Sequence, residues 1–238
     1  FHNVGKGRFI FDPLDPEKTV QHDQRVRNNF IGAVFFAATD QFITCSMGQT
    51  LQMPILKPTY TREIANKMYY PTSYFLTGWL VSTLSLLFYP LIISSIGFQF
   101  IGFDNTSSSN FFDWMLVMLI LAVSGSSFGF MFGCIFNDDQ QALQVIQLCN
   151  TVLNFGAGLF VNLKGANSFV EFLGYISPFR YACERALRCL LDGTSYTKAV
   201  CDYLSYTYDS RCLPIMISFA VGFFLVAWSA SVLKAQWL

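Results

Sequence analysis

The chain has 238 residues, and its 15 Lys and Arg balance its 15 Asp and Glu, which gives a formal net charge of zero. This balance argues against a nucleic-acid-binding protein, because a polyanionic partner selects for a basic excess. Apolar residues reach 53% of the chain and charged residues only 13%, about half of the roughly 25% usual in soluble domains. Since the charges cluster between long apolar blocks, the composition predicts an all-α polytopic membrane protein.

The first residues of the chain bear on the question of a targeting signal. It begins Phe1-His2-Asn3, without an initiator Met and without a basic-then-apolar leader. We therefore expect no signal peptide, and a chain that starts partway through a larger polypeptide.

Five apolar stretches are long enough to cross a bilayer. A span needs roughly 20 residues of helix, because every backbone amide must be satisfied internally where water is absent. The first predicted span carries one acid, Asp40, and the second is broken only by Pro90. The predicted spans are residues 30–51, 74–100, 114–136, 142–163 and 213–233.

A sixth stretch, residues 168–191, looks helical but is only half apolar. It contains five charged residues, which would be very costly at depth in a membrane. We interpret it as an interfacial or re-entrant amphipathic hairpin, broken at Ser177-Pro178, within a large loop of residues 164–212. Residues 52–73 are predicted to form a basic turn and residues 137–141 a tight one.

The residues alone leave the orientation open. One side of the membrane is shared by three loops, residues 1–29, 101–113 and 164–212. These loops carry most of the Lys and Arg, so the positive-inside rule would make them cytoplasmic. However, Asn105-Thr106-Ser107 is a glycosylation acceptor sequence, and Cys201 and Cys212 could pair in an oxidising compartment. Both of these features place the same side outside.

Polar residues recur along the fourth span at the period of a helical face. They are Gln140, Gln144, Gln147, Asn150 and Asn154. Such a stripe lines either a translocation cavity or a hydrogen-bonded seam between helices, and the residues favour neither.

Asp40 also has two interpretations. A carboxylate in the middle of a span is costly unless it is paired or wetted. It either faces a water-filled cavity or is protonated and hydrogen-bonded to Gln41 or to a neighbouring helix.

The remaining candidates for chemistry are weak. Cys45, Cys134, Cys149, Cys183 and Cys189 fit a role as small apolar packing residues. His2 and His22 lack spaced Cys or carboxylate partners, so we expect no metal site and no nucleophile triad.

Three stretches together form a recognisable pattern. The first is Arg25–Phe36, which opens with a basic and Asn-rich segment and runs into a double Phe. The second combines Pro54-Ile-Leu, Arg62-Glu63, Tyr69-Tyr70 and Ser73–Leu76, and the third is Gly158–Leu163 followed by Ile176–Tyr181 and Glu184–Leu187. In order and spacing they resemble the membrane half of G-subfamily (White-type) ABC transporters, an ABC-2 type transmembrane domain.

The resemblance implies a domain organisation. It makes the five spans the second to sixth of six, with residues 1–29 as the end of the first span and the first external loop, and residues 30–238 as the remainder of the domain. It also places loops 1–29, 101–113 and 164–212 outside, in agreement with the acceptor sequence and the cysteines. We adopt this orientation against the basic count.

ATP chemistry is expected outside this chain. The sequence has no Gly-x-x-x-x-Gly-Lys-Ser/Thr run, and Gly5-Lys6-Gly7 lacks both the glycine spacing and the hydroxyl that follows it. We therefore expect no catalytic site and no bound cofactor in this chain. The resemblance implies that ATP and Mg²⁺ bind a nucleotide-binding domain, in cis or in trans.

The resemblance also implies roles for particular residues. It places Asp40, Gln147, Thr151 and Asn154 on a substrate cavity, Leu159 and Phe160 in an apolar external plug, and Arg62 and Glu63 at the coupling to the nucleotide-binding domain. Without it, Arg62 and Glu63 would be interpreted as a solvated surface pair, and Leu159 and Phe160 as ordinary packing.

The function expected from this resemblance is ATP-driven export. Two half-transporters, as a homodimer or a heterodimer, would enclose a cavity for lipid-like, sterol-like or other amphipathic small molecules in the plasma membrane or another cellular membrane. Membrane lipid is an expected partner and nucleic acid is not. The alternatives are a non-transporting receptor or scaffold that presents loop 164–212, and, less favoured, an ion channel, for which no ring-forming charged span other than Asp40 is present.

Overall fold

The computed structural model describes residues 16–66, 68, 70–101, 108–136, 138–157, 168–191, 204 and 211–236. Within these residues the regular structure is helical, and no strand occurs. The all-α prediction is therefore confirmed. The helices are α1 (Pro16–Ala65), α2 (Pro71–Leu86), α3 (Phe88–Ile101), α4 (Ser108–Ile135), α5 (Asp139–Phe155), α6 (Ser168–Ile176), α7 (Pro178–Leu191) and α8 (Cys212–Gln236).

The first helix is much longer than the predicted span. Helix α1 extends beyond residues 30–51 on both sides, through part of the predicted loop 1–29 and through most of the predicted turn 52–73. Its N-terminal extension is rich in Glu, Lys, Gln and Arg, which are good helix formers. Hydropathy marks where a helix lies in lipid, and it carries no signal for a helix that continues into water.

Helices α2 and α3 share the second predicted span and are separated by a single turn at Leu87. Pro90 explains the break, because proline has no backbone N–H and cannot donate to the carbonyl of Leu86, where α2 ends. The Leu87 N–H still bonds to the Thr83 carbonyl at 3.0 Å, which closes the last turn of α2.

Helix α4 forms the centre of the bundle and is packed by α1 on one flank and by α8 on another. Its face against α1 carries two glycines. A Cβ added to Gly129 would meet the Ser46 carbonyl oxygen at 2.0 Å, and one added to Gly125 would meet the Phe42 carbonyl oxygen at 2.7 Å. Their spacing is the small-xxx-small pattern that lets two membrane helices approach backbone to backbone.

The core lies around α4. Trp114, Met118 and Leu121 of this helix are completely buried, and Phe42 of α1 packs against Phe179 of α7 with ring centroids 4.7 Å apart. Hydroxyl groups also form hydrogen bonds between helices. Thr50 donates to the Gly129 carbonyl at 3.0 Å, and Ser124 donates to the Met216 carbonyl at 3.1 Å.

The predicted amphipathic segment consists of two helices, α6 and α7, separated at Ser177. The Ser177 hydroxyl donates to the Leu153 carbonyl at 2.8 Å, so the break is tied to the end of α5. Arg180 and Glu184 of α7 are buried, and Glu184 accepts a hydrogen bond from Arg188 at 3.0 Å. The charges of this segment are therefore partly packed inside the protein rather than spread along an interface.

Three helical segments of the described chain are long and apolar enough to cross a membrane: Thr72–Gln99, Ser109–Ile135 and Cys212–Val232. Ser109–Ile135 is 67% buried in the protein, whereas the other two are each 22% buried. Their outer faces expose large apolar side chains such as Val81, Ile92 and Leu225, which fits contact with lipid. The remaining predicted spans, 30–51 and 142–163, stay predictions.

Candidate functional site

Helix α5 begins and ends with identifiable local signals. Asp138 is its N-cap, and the side chain accepts from the Gln140 amide at 3.4 Å. Ala142, Ile146 and Leu153 are buried at helical spacing and fix the face of α5 that meets the bundle. The helix ends at Gly156, where an added Cβ would meet the Leu173 carbonyl oxygen at 2.7 Å. These contacts fix the orientation of α5 around its helix axis.

One line of polar side chains on α5 remains exposed. Gln140, Gln144, Gln147 and Thr151 all lie on the outside of the single chain. The Thr151 hydroxyl donates to the Gln147 carbonyl at 2.9 Å, so its own donor is satisfied within the helix. The three glutamine amides, in contrast, are presented outward from a helix with an apolar flank, where Leu148 and Phe155 are also exposed.

The other two members of the predicted stripe turn toward α1. Asn150 is buried and donates to the Ser46 hydroxyl at 3.1 Å. Asn154 accepts from the Thr39 hydroxyl at 3.2 Å. The predicted stripe is therefore split: Asn150 and Asn154 form part of a seam between α1 and α5, and the glutamines with Thr151 form an open face beside it.

Asp40 is held by a residue that sequence reasoning did not identify. The Tyr89 hydroxyl of α3 donates to the Asp40 carboxylate at 2.5 Å, and Asp40 is partly exposed. This is one of the two arrangements that the sequence left open, a hydrogen bond to a neighbouring helix. The sequence did contain a signal for this partner. The uncharged second span has only two tyrosines, Tyr74 and Tyr89, whose hydroxyls could donate to an acid.

Gln41, next to Asp40, points into the protein. Its side chain is almost completely buried, and neither amide atom has a hydrogen-bond partner among the described residues. Thr39 and Asp40 are therefore neighbours along α1 of an amide with unused hydrogen-bonding capacity. Burying such a group without a partner is unfavourable.

Arg62 and Glu63 lie in the last turn of α1, where Arg62 is exposed and Glu63 partly exposed. Their carbonyls accept from the Asn66 and Met68 amides at 3.1 Å each, which closes the end of the helix. The pair is thus at a helix terminus, some distance along α1 from Asp40, and is not part of the α1–α5 face.

Four predicted residues lie outside the described residues: the plug pair Leu159 and Phe160, the glycosylation candidate Asn105, and Cys201. Cys212 is described and is completely buried at the start of α8. Its pairing with Cys201 stays a prediction. Within the described part of the chain, no group of three or more His, Cys, Asp or Glu side chains is arranged to hold a metal ion.

The helix bundle and its amphipathic hairpin define the class of protein when they are compared with known sequences. The profile of the ABC-2 type transporter family matches residues 9–191. Because this match covers most of the chain, the protein belongs to the ABC-2 type transporter family and is an integral membrane protein.

Similar proteins bear out the particular resemblance. The chain is 27% identical over 160 residues to Protein white of Ceratitis capitata, and 27% identical over 160 residues to Protein white of Drosophila melanogaster. The matched part is 67% of this chain but 23% of each relative, so the chain spans less than a quarter of the length of these proteins. The predicted likeness to White-type ABC transporters is confirmed.

Proposed function

We propose that this chain is the membrane-spanning part of an ATP-driven exporter that moves lipid-like, sterol-like or other amphipathic small molecules by alternating access. Two half-transporters, identical or related, enclose the cavity. ATP and Mg²⁺ bind nucleotide-binding domains that lie outside this sequence. ATP then favours the outward-open state only to the extent that it binds this state better than the inward-open one.

The observation that carries the proposal is the exposed polar line of α5. Gln140, Gln144, Gln147 and Thr151 lie on the outside of one chain, on a helix whose neighbouring flank is apolar. Amide groups directed at lipid cost several kcal/mol, because hydrocarbon offers no hydrogen bonds. In a membrane, this face is therefore stable only where it contacts water or a second protein. A chamber between two half-transporters provides both kinds of contact.

The seam beside this line supports the same assignment. Hydrogen bonds from Thr39 to Asn154 and from Asn150 to Ser46 hold α5 against α1. The open glutamine face is therefore presented at a fixed rotation beside α1. Apolar side chains flank the polar line, so the wall offers both kinds of contact that an amphipathic molecule needs.

The face can be tested by cysteine accessibility in the full-length protein in membrane vesicles. We expect a charged methanethiosulfonate reagent to label Gln147→Cys and Thr151→Cys, because their thiols would contact water. Val81→Cys and Leu84→Cys are the controls, since these residues are exposed on the apolar outer face of α2. We expect them to stay unlabelled, because a thiol in lipid does not ionise. Equal labelling of all four positions would contradict the proposal.

Transport is tested separately with rhodamine 123 as the probe. We expect Gln147→Leu to reduce dye-stimulated ATP hydrolysis and efflux by about tenfold, the loss of roughly one hydrogen bond to cargo or water. Thr72→Leu, exposed at the start of the second span, is the control. Unchanged efflux in Gln147→Leu, or full-length protein that hydrolyses no ATP, would remove the transporter assignment.

Arg62 and Glu63 are proposed to receive movement from the nucleotide-binding domain. They lie at the end of a helix that continues from the α1–α5 face, so a displacement of this end is transmitted along α1 as a rigid element. We expect Glu63→Lys to retain basal ATP hydrolysis but to abolish its stimulation by rhodamine 123. Stimulation equal to that of the unaltered protein would show that Glu63 is an ordinary surface residue.

A further inference from the structure

Asp40 lies on a side of α1 that the single chain leaves largely open. Several side chains at steps of three or four residues share this side and are at least partly exposed. They are Phe36, Asp40, Thr44, Met47 and Leu51. The contacts with α4 lie on the opposite side, because Phe42 and Ser46 are two residues, about 200° around the helix, beyond Asp40 and Thr44. The open side of α1 therefore faces away from the core of the bundle.

The Asp40 carboxylate is held in place from α3. The Tyr89 hydroxyl donates to one of its oxygens at 2.5 Å, and the Thr44 side chain forms a hydrogen bond with the same hydroxyl. An ionised carboxylate has two oxygens with about four acceptor sites, so a single donor leaves most of this capacity unused. Tyr89 is therefore a positioning residue, which fixes the direction of the acid and does not neutralise it.

No base of this chain is placed to neutralise Asp40. The five predicted spans contain no Lys, Arg or His. Among the described residues, the ion pairs are those of Arg185 and Arg188 on α7, and Asp40 takes part in neither. A second copy of the chain would bring another Asp40 and no base. Because a carboxylate in the middle of a span is costly without a partner, the positive charge that would pair with it comes from outside the protein.

The surroundings of Asp40 suit an organic cation better than a metal ion. Phe36 lies one turn before Asp40 on the same side of α1, and its side chain is 64% exposed. The face of an aromatic ring attracts a cation, and Met47 and Leu51 continue the apolar surface on the other side of the acid. A divalent metal ion requires about six oxygen ligands. Within the described residues, no cluster of His, Cys, Asp or Glu provides such a set.

We propose that Asp40 makes the transporter selective for cationic amphiphiles, molecules that carry a protonated amine or another organic cation on an apolar body. The inference rests on the proposed transport function and narrows its range of amphipathic cargo. Asp40 pairs with the positive charge, Phe36 packs against the cargo next to this charge, and Tyr89 holds the carboxylate. The chamber then favours a cation over an anion of the same shape, because the Coulomb energy has opposite signs for the two.

The test compares tetraphenylphosphonium with tetraphenylborate, which have nearly the same size and shape but opposite charges. Binding is measured without ATP on the full-length protein in nanodiscs, by equilibrium dialysis against empty nanodiscs of the same zwitterionic lipid. We expect tetraphenylphosphonium to bind about tenfold more tightly than tetraphenylborate. Asp40→Asn should weaken binding of the cation about tenfold without weakening that of the anion. Asp40→Glu keeps the charge and should retain most of the preference.

Two further variants separate the charge from its support. Tyr89→Phe removes the positioning donor and leaves the acid, so we expect a smaller loss of cation binding, about threefold. Asp139→Asn is the matched control, since it removes the same charge from an exposed acid in the first turn of α5 and should leave binding unchanged. Thermal unfolding checks that each variant is folded. Asp40→Asn should fold, because its amide oxygen can still accept from Tyr89.

The outcomes distinguish this proposal from the transport function on which it rests. Equal binding of the two ions, or the same loss of affinity in Asp139→Asn as in Asp40→Asn, would overturn the cation selectivity. If ATP-driven efflux of Nile red, a neutral amphipathic dye, were then normal, the transport function would stand without it. Full-length protein that neither hydrolyses ATP nor exports either dye, but still binds the cation through Asp40, would remove the exporter and keep the cation site.

Discussion

Gly125 and Gly129 are residues for which the absence of a side chain is the structural requirement. Both lie on α4 against α1, and a Cβ at either position would enter the backbone of Phe42 or Ser46. The Thr50 hydroxyl donates to the Gly129 carbonyl at 3.0 Å, which also depends on this approach. Without a hydrophobic driving force between helices in lipid, such close packing is a main source of their association.

We expect Gly129→Ala to destabilise the protein by about 1–3 kcal/mol, the usual cost of overpacking, because the added carbon would lie 2.0 Å from the Ser46 carbonyl oxygen. Gly222→Ala is the matched control, since a Cβ there meets nothing within 4 Å. Alanine favours a helix over glycine by about 1 kcal/mol, so the control should be neutral or stabilised. Thermal unfolding in detergent measures both, and equal stability of the two variants would contradict the close contact.

Asp40 and Tyr89 allow a second test at the residue scale. Asp40→Asn keeps an oxygen that can accept from the Tyr89 hydroxyl, so we expect normal folding and a several-fold change in rhodamine 123 efflux. Tyr89→Phe removes the donor and leaves the acid without it, which should cost about 1.5–3 kcal/mol of stability. If Asp40→Asn leaves both efflux and dye-stimulated ATP hydrolysis unchanged, Asp40 has no part in a cavity and is a structural partner of Tyr89.

At the scale of a helix, α7 carries two ion pairs in very different surroundings, one within the helix and one to α4. The Arg188–Glu184 pair includes a completely buried carboxylate, whereas the 3.1 Å pair between Arg185 and Asp113 of α4 is open to solvent, with side chains 27% and 50% exposed. A charge buried with its partner is costly to disturb, since the remaining group stays desolvated. An exposed pair contributes little, because water screens it.

We therefore expect Glu184→Gln to destabilise the protein by about 3–5 kcal/mol, and Asp113→Asn by less than about 1 kcal/mol. Fluorescence-detected gel filtration after heating measures this order directly. The same loss in both variants would show that α7 is held by apolar packing around Phe179 and Leu187 rather than by the buried charge.

At the scale of the whole molecule, the exposed polar line on α5 is the surface where we propose that a second half-transporter faces this chain. Two copies facing each other across a chamber would bring the Thr151 positions of both near the shared axis. We expect Thr151→Cys to form an intermolecular disulfide under mild oxidation of the full-length protein in membranes. Leu84→Cys, on the lipid-exposed outer face of α2, is the control and should not cross-link. Cross-linking through Leu84→Cys alone would place the dimer contact on the opposite surface.

Much of the fold was predictable because the bilayer imposes a length and a composition on whatever crosses it. Three of the apolar blocks are helices long and apolar enough to cross a membrane. The residues also indicated the break near Pro90 and the one at Ser177-Pro178. The continuation of α1 from Pro16 to Ala65 was not, because outside lipid a helix needs no apolar run. The likeness to White-type transporters was also readable from ordered short motifs, and the family match confirms it.

The candidate site was predictable in its residue types but not in its pairings. The period of α5 groups its polar side chains on one broad face, and this face was found. Only the packing of α5 against α1 divides it, so that Asn150 and Asn154 meet Ser46 and Thr39 while Gln144 and Gln147 remain open. The helical period gives the direction in which a side chain leaves the helix axis. It does not tell which neighbouring helix that side chain meets.

By itself, the sequence determined that the protein is a helical membrane domain, because burying backbone in hydrocarbon requires long apolar helices that local composition reveals. Its likeness to the ABC-2 type came from the order and spacing of short motifs. The tertiary structure decided the partner of Asp40 and the close approach at Gly125 and Gly129. Each of these contacts joins atoms that are far apart in the chain and meet only when the helices pack. The energy of each contact depends on the distance between its atoms and on the exclusion of water around them.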